Sequence, residues 1–207
     1  VSSVPQVIVV NPQRMPQADF KAFLAAVRQN PGKYNYASAG NGTSHHLAGE
    51  LFKLQSQTSI AHVPYRGAGP ALQDLIAGQV DMMFDGLRSS AAHIQGGRIK
   101  ALAVASDKRA PGFPDLPTTA ELGLPTYQVA TWYGLWAPKG TPKDVMAKLN
   151  KALNVAITDE AVKKRIAELS SDLVSPEKAT PEGLRKHLEA EVARWDKVIK
   201  AAGVSAE

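Results

Sequence analysis

The 207-residue chain contains no cysteine. This absence excludes disulfide bonds, thiolate nucleophiles and cysteine-ligated zinc or iron–sulfur sites. It also means that the redox compartment of the protein cannot be inferred from its sequence. Long apolar runs are absent too, because the most apolar stretches, residues 7–10 and 101–105, have only the length of a β-strand. A membrane-spanning helix needs ~20 apolar residues, so we predict no direct insertion into a membrane.

A strong charge bias is also lacking. Lysine and arginine number 24 against 19 aspartates and glutamates, and hydrophobic residues make up 44% of the chain, which is ordinary globular composition. The one basic triplet, Lys163-Lys164-Arg165, is flanked by Asp159 and Glu160 on one side. A mixed, solvated helix face explains this pattern better than a phosphate-binding stripe does. We therefore predict no nucleic-acid partner.

Motifs for common catalytic and cofactor sites are missing. No serine lies in a Gly-x-Ser-x-Gly elbow, and no Gly-Lys-Ser/Thr closes a phosphate-binding loop. Two Gly-x-Gly sequences occur, but His45 and Leu72 stand where the third glycine of a dinucleotide fingerprint would be. Because His45 and His46 are neighbours, they point about 100° apart on a helix and do not suit a shared metal ion. The sequence predicts neither a cofactor nor a metal site.

The chain does contain a regular alternation of strand-like and helix-like segments. Short β-type runs alternate with segments whose apolar residues fall at helical spacing, which is typical of an α/β domain with a largely parallel sheet. We expect the aromatic residues of the last predicted strand, Trp132, Tyr133 and Trp136, to pack in a core or an interdomain seam. The predicted strands are residues 6–10, 34–37, 60–63, 80–84, 99–105 and 129–137.

Two loops, each between a predicted strand and a predicted helix, favour ligand binding. Residues 38–44 and 65–69 are rich in small residues, which let a ligand approach the backbone. Each loop leads into a helix N-terminus, whose unpaired amides and dipole favour an anion. Ser44 is the predicted cap of the first helix, and Pro70 is predicted at the first position of the second. A single loop of this kind could be an ordinary tight turn, but two in consecutive units indicate a binding site.

Several polar residues near these loops have open roles. Asp85 follows the predicted strand 80–84 and should emerge in the same crevice, where it either caps the next helix or pairs with a ligand ammonium or hydroxyl group. As a lone carboxylate it does not form an acid–base pair. His45 and His46 either cap the helix or contact a ligand. His62 is isolated in the sequence, and we expect it to be packed or solvated.

Long segments of the chain resemble the Bug (TctC-like) family of extracytoplasmic solute receptors, which serve tripartite tricarboxylate transporters. The segment with the strongest resemblance is YASAGNGTSHHLAGELF, residues 36–52. The matches occur in the same order along almost the whole chain. The further matching segments are residues 62–67, 78–85, 99–104, 117–123 and 132–142.

The resemblance implies a type II periplasmic-binding-protein fold, in which two hinged lobes close around a small mono- or dicarboxylate. It further implies a periplasmic protein that is not an enzyme and that passes its ligand to membrane transporter subunits. His45 stands where the family varies its residue, so it is a candidate for tuning selectivity. By position, the implied ligand-binding residues are Ser38, Gly40, Asn41, Gly42, Thr43, Ser44 and His45 in one loop, Arg66, Gly67 and Ala68 in a second wall, and Asp85.

One departure from the family pattern affects the expected domain organisation. Family members begin with a signal peptide and a further α/β segment, which we expect to have been removed ahead of Val1. We therefore predict that residues 11–125 form one complete α/β lobe. Residues 1–10 and 126–207 would supply crossover strands and the C-terminal part of a second lobe. Dimerisation or domain swapping could then cover the apolar surface of the incomplete lobe.

Two other functions remain open at this point. One is a hydrolase-type enzyme acting on a small acyl or phosphate substrate with Ser44, His45 and Asp85. The other is the effector-binding domain of a transcription regulator, although no helix-turn-helix segment is present in the chain. Neither the bound carboxylate nor the partner transporter can be identified from the sequence.

Overall fold

The computed structural model describes residues 2–205, so Val1 and residues 206–207 of the predicted segments lie outside the described residues. Helices and strands alternate along the first half of the chain, and helices dominate the second. The elements in chain order are β1 (Ser2–Val10), α1 (Phe20–Gln29), β2 (Asn35–Ser38), α2 (Ser44–Ser56), β3 (Ala61–Pro64), α3 (Ala68–Ala77), β4 (Met82–Gly86), α4 (Leu87–Gln95), β5 (Lys100–Val104), β6 (Ala130–Tyr133), α5 (Lys143–Thr158), α6 (Glu160–Glu168), β7 (Asp172–Leu173) and α7 (Pro181–Ala202).

The main sheet has the strand order β3-β2-β4-β1-β5. Strand β2 pairs in parallel with β3 and β4, whereas β1 runs antiparallel to both β4 and β5. Four of the five strands therefore point in one direction, as the alternating pattern predicts, and β1 is the exception. The carboxyl ends of β2, β3 and β4 meet at one edge of the sheet, and both candidate loops begin there.

Strand β1 links two groups of strands. Its first residues, from Ser2 to Pro5, pair with β6 and β7, whereas its remainder pairs with β4 and β5. The register with β5 shifts between Ile8 and Val9, which marks a bulge. The antiparallel β1 thus connects the main sheet to the strands β6 and β7 of the second half.

Apolar side chains are buried on both faces of the main sheet because successive strand residues point to opposite faces. On one face, Phe84 packs with Phe52 of α2 and Tyr127 at ring-centroid distances of 5.2 and 6.3 Å. On the other face, Met83 packs with Leu75 of α3 and Leu87 of α4. Burying each of these large side chains contributes about 1.5–3 kcal/mol, and together they hold α2, α3 and α4 against the strands.

The second half of the chain exposes a broad apolar surface. The predicted strand 129–137 is observed only as β6, and Trp136 beyond its end is 63% exposed. A groove of about 1250 Å³ runs between the start of β1, β6, α5 and α7. The prediction that Trp136 packs in a core or seam is wrong for the described residues, because none of them covers this groove.

Candidate functional site

The two loops identified in the sequence lie side by side in the structure. The Tyr65 amide donates to the Ser38 carbonyl at 3.0 Å, and the Gly67 amide donates to the Ala39 carbonyl at 3.1 Å. Gly40 has φ +130°, and a Cβ there would lie 3.2 Å from the Tyr65 carbonyl oxygen. Glycine therefore permits both the backbone conformation and the close approach of the loops. We call residues 38–44 and 65–69 together the binding wall.

Thr43, rather than the predicted Ser44, is the N-cap of α2. Its hydroxyl accepts from the His46 amide at 3.4 Å and donates to the Gly40 carbonyl at 2.7 Å. Ser44 is the first helical residue, and its hydroxyl shares a 3.0 Å hydrogen bond with the Thr131 hydroxyl of β6. The loop is thereby tied to the second half of the chain.

The start of α3 also differs from the prediction. Gly67, with φ +113°, is the N-cap, and the helix begins at Ala68. Pro70 is therefore the third helical residue instead of the first. A ring without an N–H is tolerated there as well, because the first-turn amides have no partner inside the helix.

Free backbone amides converge on the binding wall. Within the described part of the chain, no hydrogen bond occupies the amides of Ser44 and His45 in α2 or those of Ala68 and Gly69 in α3. Both helices have ten or more residues, so each carries a dipole whose positive end lies at these amides. The wall can therefore hold an anion without a formal positive charge.

Asp85 is completely buried at the end of β4, beside the wall. Its Oδ2 accepts from the hydroxyls of Ser89 and Ser90 at 2.7 and 2.6 Å, and its Oδ1 lies 3.4 Å from Nε2 of His45. The cap of α4 is Gly86, so Asp85 anchors the first turn of α4 through its two serines. Burial lowers the pKa of His45, and the negative charge of Asp85 partly opposes that effect.

The arrangement does not form the triad that a hydrolase would require. Asp85 and His45 are adjacent, but the Ser44 hydroxyl pairs with Thr131 rather than with the imidazole. The second ring nitrogen of His45, Nδ1, is buried without a hydrogen-bond partner in the described residues. No serine is thus placed to be activated by His45.

Other predicted site residues lie at the rim. The side chain of Arg66 is exposed, and no hydrogen bond or ion pair holds it within residues 2–205. Asn41 and Gly42 are exposed as well, whereas Ser38 is fully buried. The part of the chain that the structure describes also contains no cluster of three or more acidic, histidine or cysteine residues suited to a metal ion.

The sequence analysis missed the contact between His46 and His62. Their rings stack with centroids 3.8 Å apart and planes 6° apart. His62 Nε2 lies 2.6 Å from the Ser38 hydroxyl, and the Gly42 amide donates to His46 Nδ1 at 3.1 Å. Of the two expectations for His62, packed or solvated, the structure shows the packed one, although the stack on His46 was not predicted. Burial, the largest cause, lowers the pKa of both imidazoles, that of His62 to about 4.

A family model decides the identity of the chain. Residues 1–204 match the model described as the tripartite tricarboxylate transporter family receptor. The chain belongs to this family. The family consists of transporter receptors, in agreement with the resemblance in the sequence.

Solved structures support the same assignment and define the fold. The chain is similar to Rpa4515 of R. palustris with adipate, at 33% identity and a TM-score of 0.88, covering 99% of this chain and 67% of that one. It is similar to the periplasmic binding protein BugD, at 36% and 0.88, covering 100% and 69%. It is also similar to MatC of Rhodopseudomonas palustris with bound malate, at 34% and 0.86, covering 96% and 67%.

The α/β prediction of a periplasmic-binding-protein-like fold, with one lobe only partly present, is confirmed by these matches. The chain spans 58% to 61% of the length of curated relatives from Pseudomonas, Agrobacterium and Bordetella, to which it is 34% to 42% identical. The matched portion thus includes the binding wall but falls short of the relatives' full length.

Proposed function

We propose that this chain binds a small mono- or dicarboxylate at the binding wall and acts as a solute receptor, not as an enzyme. The observation that carries the proposal is the pairing of two helix N-termini with free amides at one edge of the sheet. Adipate and malate, the ligands of two structural neighbours, are both dicarboxylates. Hydrogen bonds from backbone amides to a carboxylate are charge-assisted and therefore stronger than neutral ones.

Under this proposal, the wall binds the carboxylate through preorganised groups. The amides of Ser44, His45 and Ala68 would donate to its oxygens. The hydroxyls of Ser38, Thr43 and Ser44 already form hydrogen bonds within the protein, and they would hold the loop in place. Because these donors are fixed by the loops before the ligand arrives, little ordering entropy is lost on binding. Arg66 at the rim would attract the anion from solution.

Selectivity would come from the residues beside the wall. Oδ1 of Asp85 accepts no hydrogen bond from the described residues and faces only His45, at 3.4 Å, so a ligand hydroxyl or ammonium group could pair with this carboxylate. His45 would border the same space. We therefore expect substitutions of His45 to change which carboxylate is preferred more than whether a carboxylate binds.

The division into lobes completes the mechanism. Residues 11–125 would form the complete lobe that carries the wall, and residues 1–10 and 126–207 would form crossover strands and part of the facing lobe. Closure of the lobes would remove the ligand from water. The Ser44–Thr131 hydrogen bond joins the wall to β6, so its length would change as the lobes close.

Family membership also supports a location and a partner. We infer that the protein works in the periplasm, as BugD does, and delivers its ligand to the membrane subunits of a tripartite transporter. We propose no nucleic-acid partner, since two of the three basic residues of α6, Lys163 and Arg165, pair with acids of the same helix. No helix in residues 2–205 has the length and apolar character needed to cross a bilayer.

Replacing Thr43 and Ser44 together by alanine should weaken carboxylate binding at least about tenfold, because the change removes the cap of α2 and the hydrogen bond to Thr131, which together hold the free amides in place. Calorimetric titration with adipate and with malate measures the effect. Thr180→Ala is a matched control, since Thr180 caps α7 and accepts from the Gly183 amide away from the wall. It should lower stability by about 1 kcal/mol and leave affinity unchanged. Unchanged affinity in the double variant would remove residues 43 and 44 from the site.

We also propose that the 207-residue chain by itself associates through the apolar groove of its second half. Trp136, Leu135 and Leu149 are 63%, 67% and 55% exposed there, and self-association would remove them from water. Light scattering should give a mass above the 22.1 kDa of one chain. Trp136→Ser combined with Leu135→Ser should restore the mass of a monomer, and a monomeric mass for the unchanged chain would refute the proposal.

A further inference from the structure

His46 connects the core of the main lobe to the exposed tip of the binding wall. Its side chain is nearly buried, and its Nδ1 accepts a 3.1 Å hydrogen bond from the Gly42 amide. Gly42 itself is exposed and has φ +71°, a backbone conformation in the left-handed region. Gly42 is followed by Thr43, the cap of α2, and by Ser44, which carries the first free amide. The position of Gly42 therefore determines how the free amides at the start of α2 are oriented.

The hydrogen bond defines the state of the imidazole. A ring nitrogen that accepts from an amide carries no proton, so the proton of neutral His46 lies on Nε2. That nitrogen lies 3.8 Å from Oε1 of Glu50, which also accepts from Tyr36 Oη at 2.7 Å. A second proton on Nδ1 would place two donors against each other at Gly42 and break the contact.

We propose that His46 is a positioning residue: neutral His46 holds Gly42, and with it the carboxylate loop, in its binding geometry, and protonation of His46 releases the loop. The proposal rests on the proposed carboxylate-binding function of the same wall. Ligand affinity should therefore decline in acidic solution because His46 becomes protonated, in addition to any effect of protonating the ligand itself.

Burial, the largest cause, lowers the pKa of His46 and so disfavours its protonated form, and the neighbouring groups modify this effect. The ring of His62 from β3 stacks on that of His46, and a charge on one imidazole would repel a charge on the other. Lys53 of α2 is a further nearby cation, whereas Glu50 of the same helix has the opposite effect. Tyr36 of β2 contacts the backbone carbonyl of His46 through its hydroxyl, and the adjoining residues 202–205 carry no charged side chain.

Two substitutions separate the acceptor from the ring. His46→Asn keeps an acceptor oxygen near the position of Nδ1 but does not titrate. His46→Phe keeps a ring that can stack on His62 but has no acceptor. At pH 7.5 the asparagine variant should bind within about threefold of the unchanged chain, and the phenylalanine variant about tenfold more weakly. Calorimetric titration with adipate and malate measures both affinities.

The pH profile tests the release step. Over the pH range in which His46 becomes protonated, the affinity of the unchanged chain should fall about tenfold more than that of His46→Asn, because protonation removes the same hydrogen bond that His46→Phe removes. Without any ligand, the Gly42 amide resonance should shift together with the imidazole nitrogens of His46 in nuclear magnetic resonance titrations. That shift should be absent in His46→Asn, where the titration of His62 and His45 remains.

Distinct results would overturn the two proposals. If adipate and malate bind to no variant, the carboxylate function fails, while the resonance titration still decides whether His46 holds Gly42. If the Gly42 amide resonance does not shift as His46 titrates, the positioning role fails. It also fails if folded His46→Phe binds as tightly as the unchanged chain, or if His46→Asn keeps the full pH dependence.

Discussion

Replacing Gly49 by alanine should lower the free energy of unfolding by about 2–3 kcal/mol. A Cβ at this position in α2 would lie 2.2 Å from Cε2 and 2.4 Å from Cζ of the Tyr36 ring. Alanine favours a helix interior over glycine by about 1 kcal/mol, so local propensity alone predicts the opposite sign. The steric cost of the overlap exceeds that gain in free energy, because real Cβ atoms do not approach other atoms so closely.

The Tyr36 ring has little freedom to move away. It stacks on His62 at a centroid distance of 4.9 Å and meets Phe84 edge-on at 5.5 Å. Its hydroxyl donates to Glu50 at 2.7 Å, and burial raises the pKa of that hydroxyl far above its usual value. We therefore expect α2 to shift away from the sheet, which would displace the binding wall at its N-terminus.

Gly69→Ala is the matched control for this prediction. Gly69 also lies in a helix, but an added Cβ there meets no atom within 4 Å. The control should leave the free energy of unfolding unchanged or slightly higher, because only the helix propensity changes. Urea unfolding followed by circular dichroism measures both variants. Equal stability of Gly49→Ala and Gly69→Ala would show that Tyr36 does not restrict this position.

The sequence was sufficient to predict the fold class and the place of the wall. Alternating segments identify strands and helices locally, and parallel strands bring their carboxyl ends to one edge of the sheet. That geometry explains why loops 38–44 and 65–69 meet, although they lie far apart in the sequence. The antiparallel position of β1 between β4 and β5 depends on non-local pairing, which a local pattern does not contain.

The finer features of the wall depended on contacts that the sequence could not supply. Thr43 and Ser44 are both good caps, and only the fold shows that Ser44 instead reaches Thr131 of β6. His62 lies opposite Tyr36 in the parallel β2–β3 register, which brings it against His46. Knowledge of the β2–β3 register would have allowed us to predict the stacking of His62 on His46. The exposure of Trp136 also escaped the sequence, because the strand β6 ends at Tyr133 and leaves Trp136 outside the sheet pairing that a local pattern predicted for it.

Acidic solution should destabilise the fold, because the stacked histidine His62 is harder to protonate in the folded chain than in the unfolded one. The folded-state pKa of His62 is about 4, whereas an unfolded histidine titrates near 6.5. Between these values the unfolded chain binds more protons, so stability is fully present above about pH 6.5 and is lost as the pH falls toward 4. Desolvation beside Tyr36 and repulsion from His46 both disfavour the charged ring.

His62→Gln isolates this contribution. Glutamine can reach the Ser38 hydroxyl in place of Nε2, which lies 2.6 Å from it, but does not titrate. Because His62 is only partly buried, solvent screening reduces the effect, and we expect the unchanged chain to lose about 1–2 kcal/mol more than the variant between pH 6.5 and 4. Urea unfolding at half-unit pH steps measures the difference. Parallel pH profiles for the two proteins would mean that His62 protonates as readily in the folded chain as in the unfolded one, and that the stack with His46 imposes no electrostatic cost.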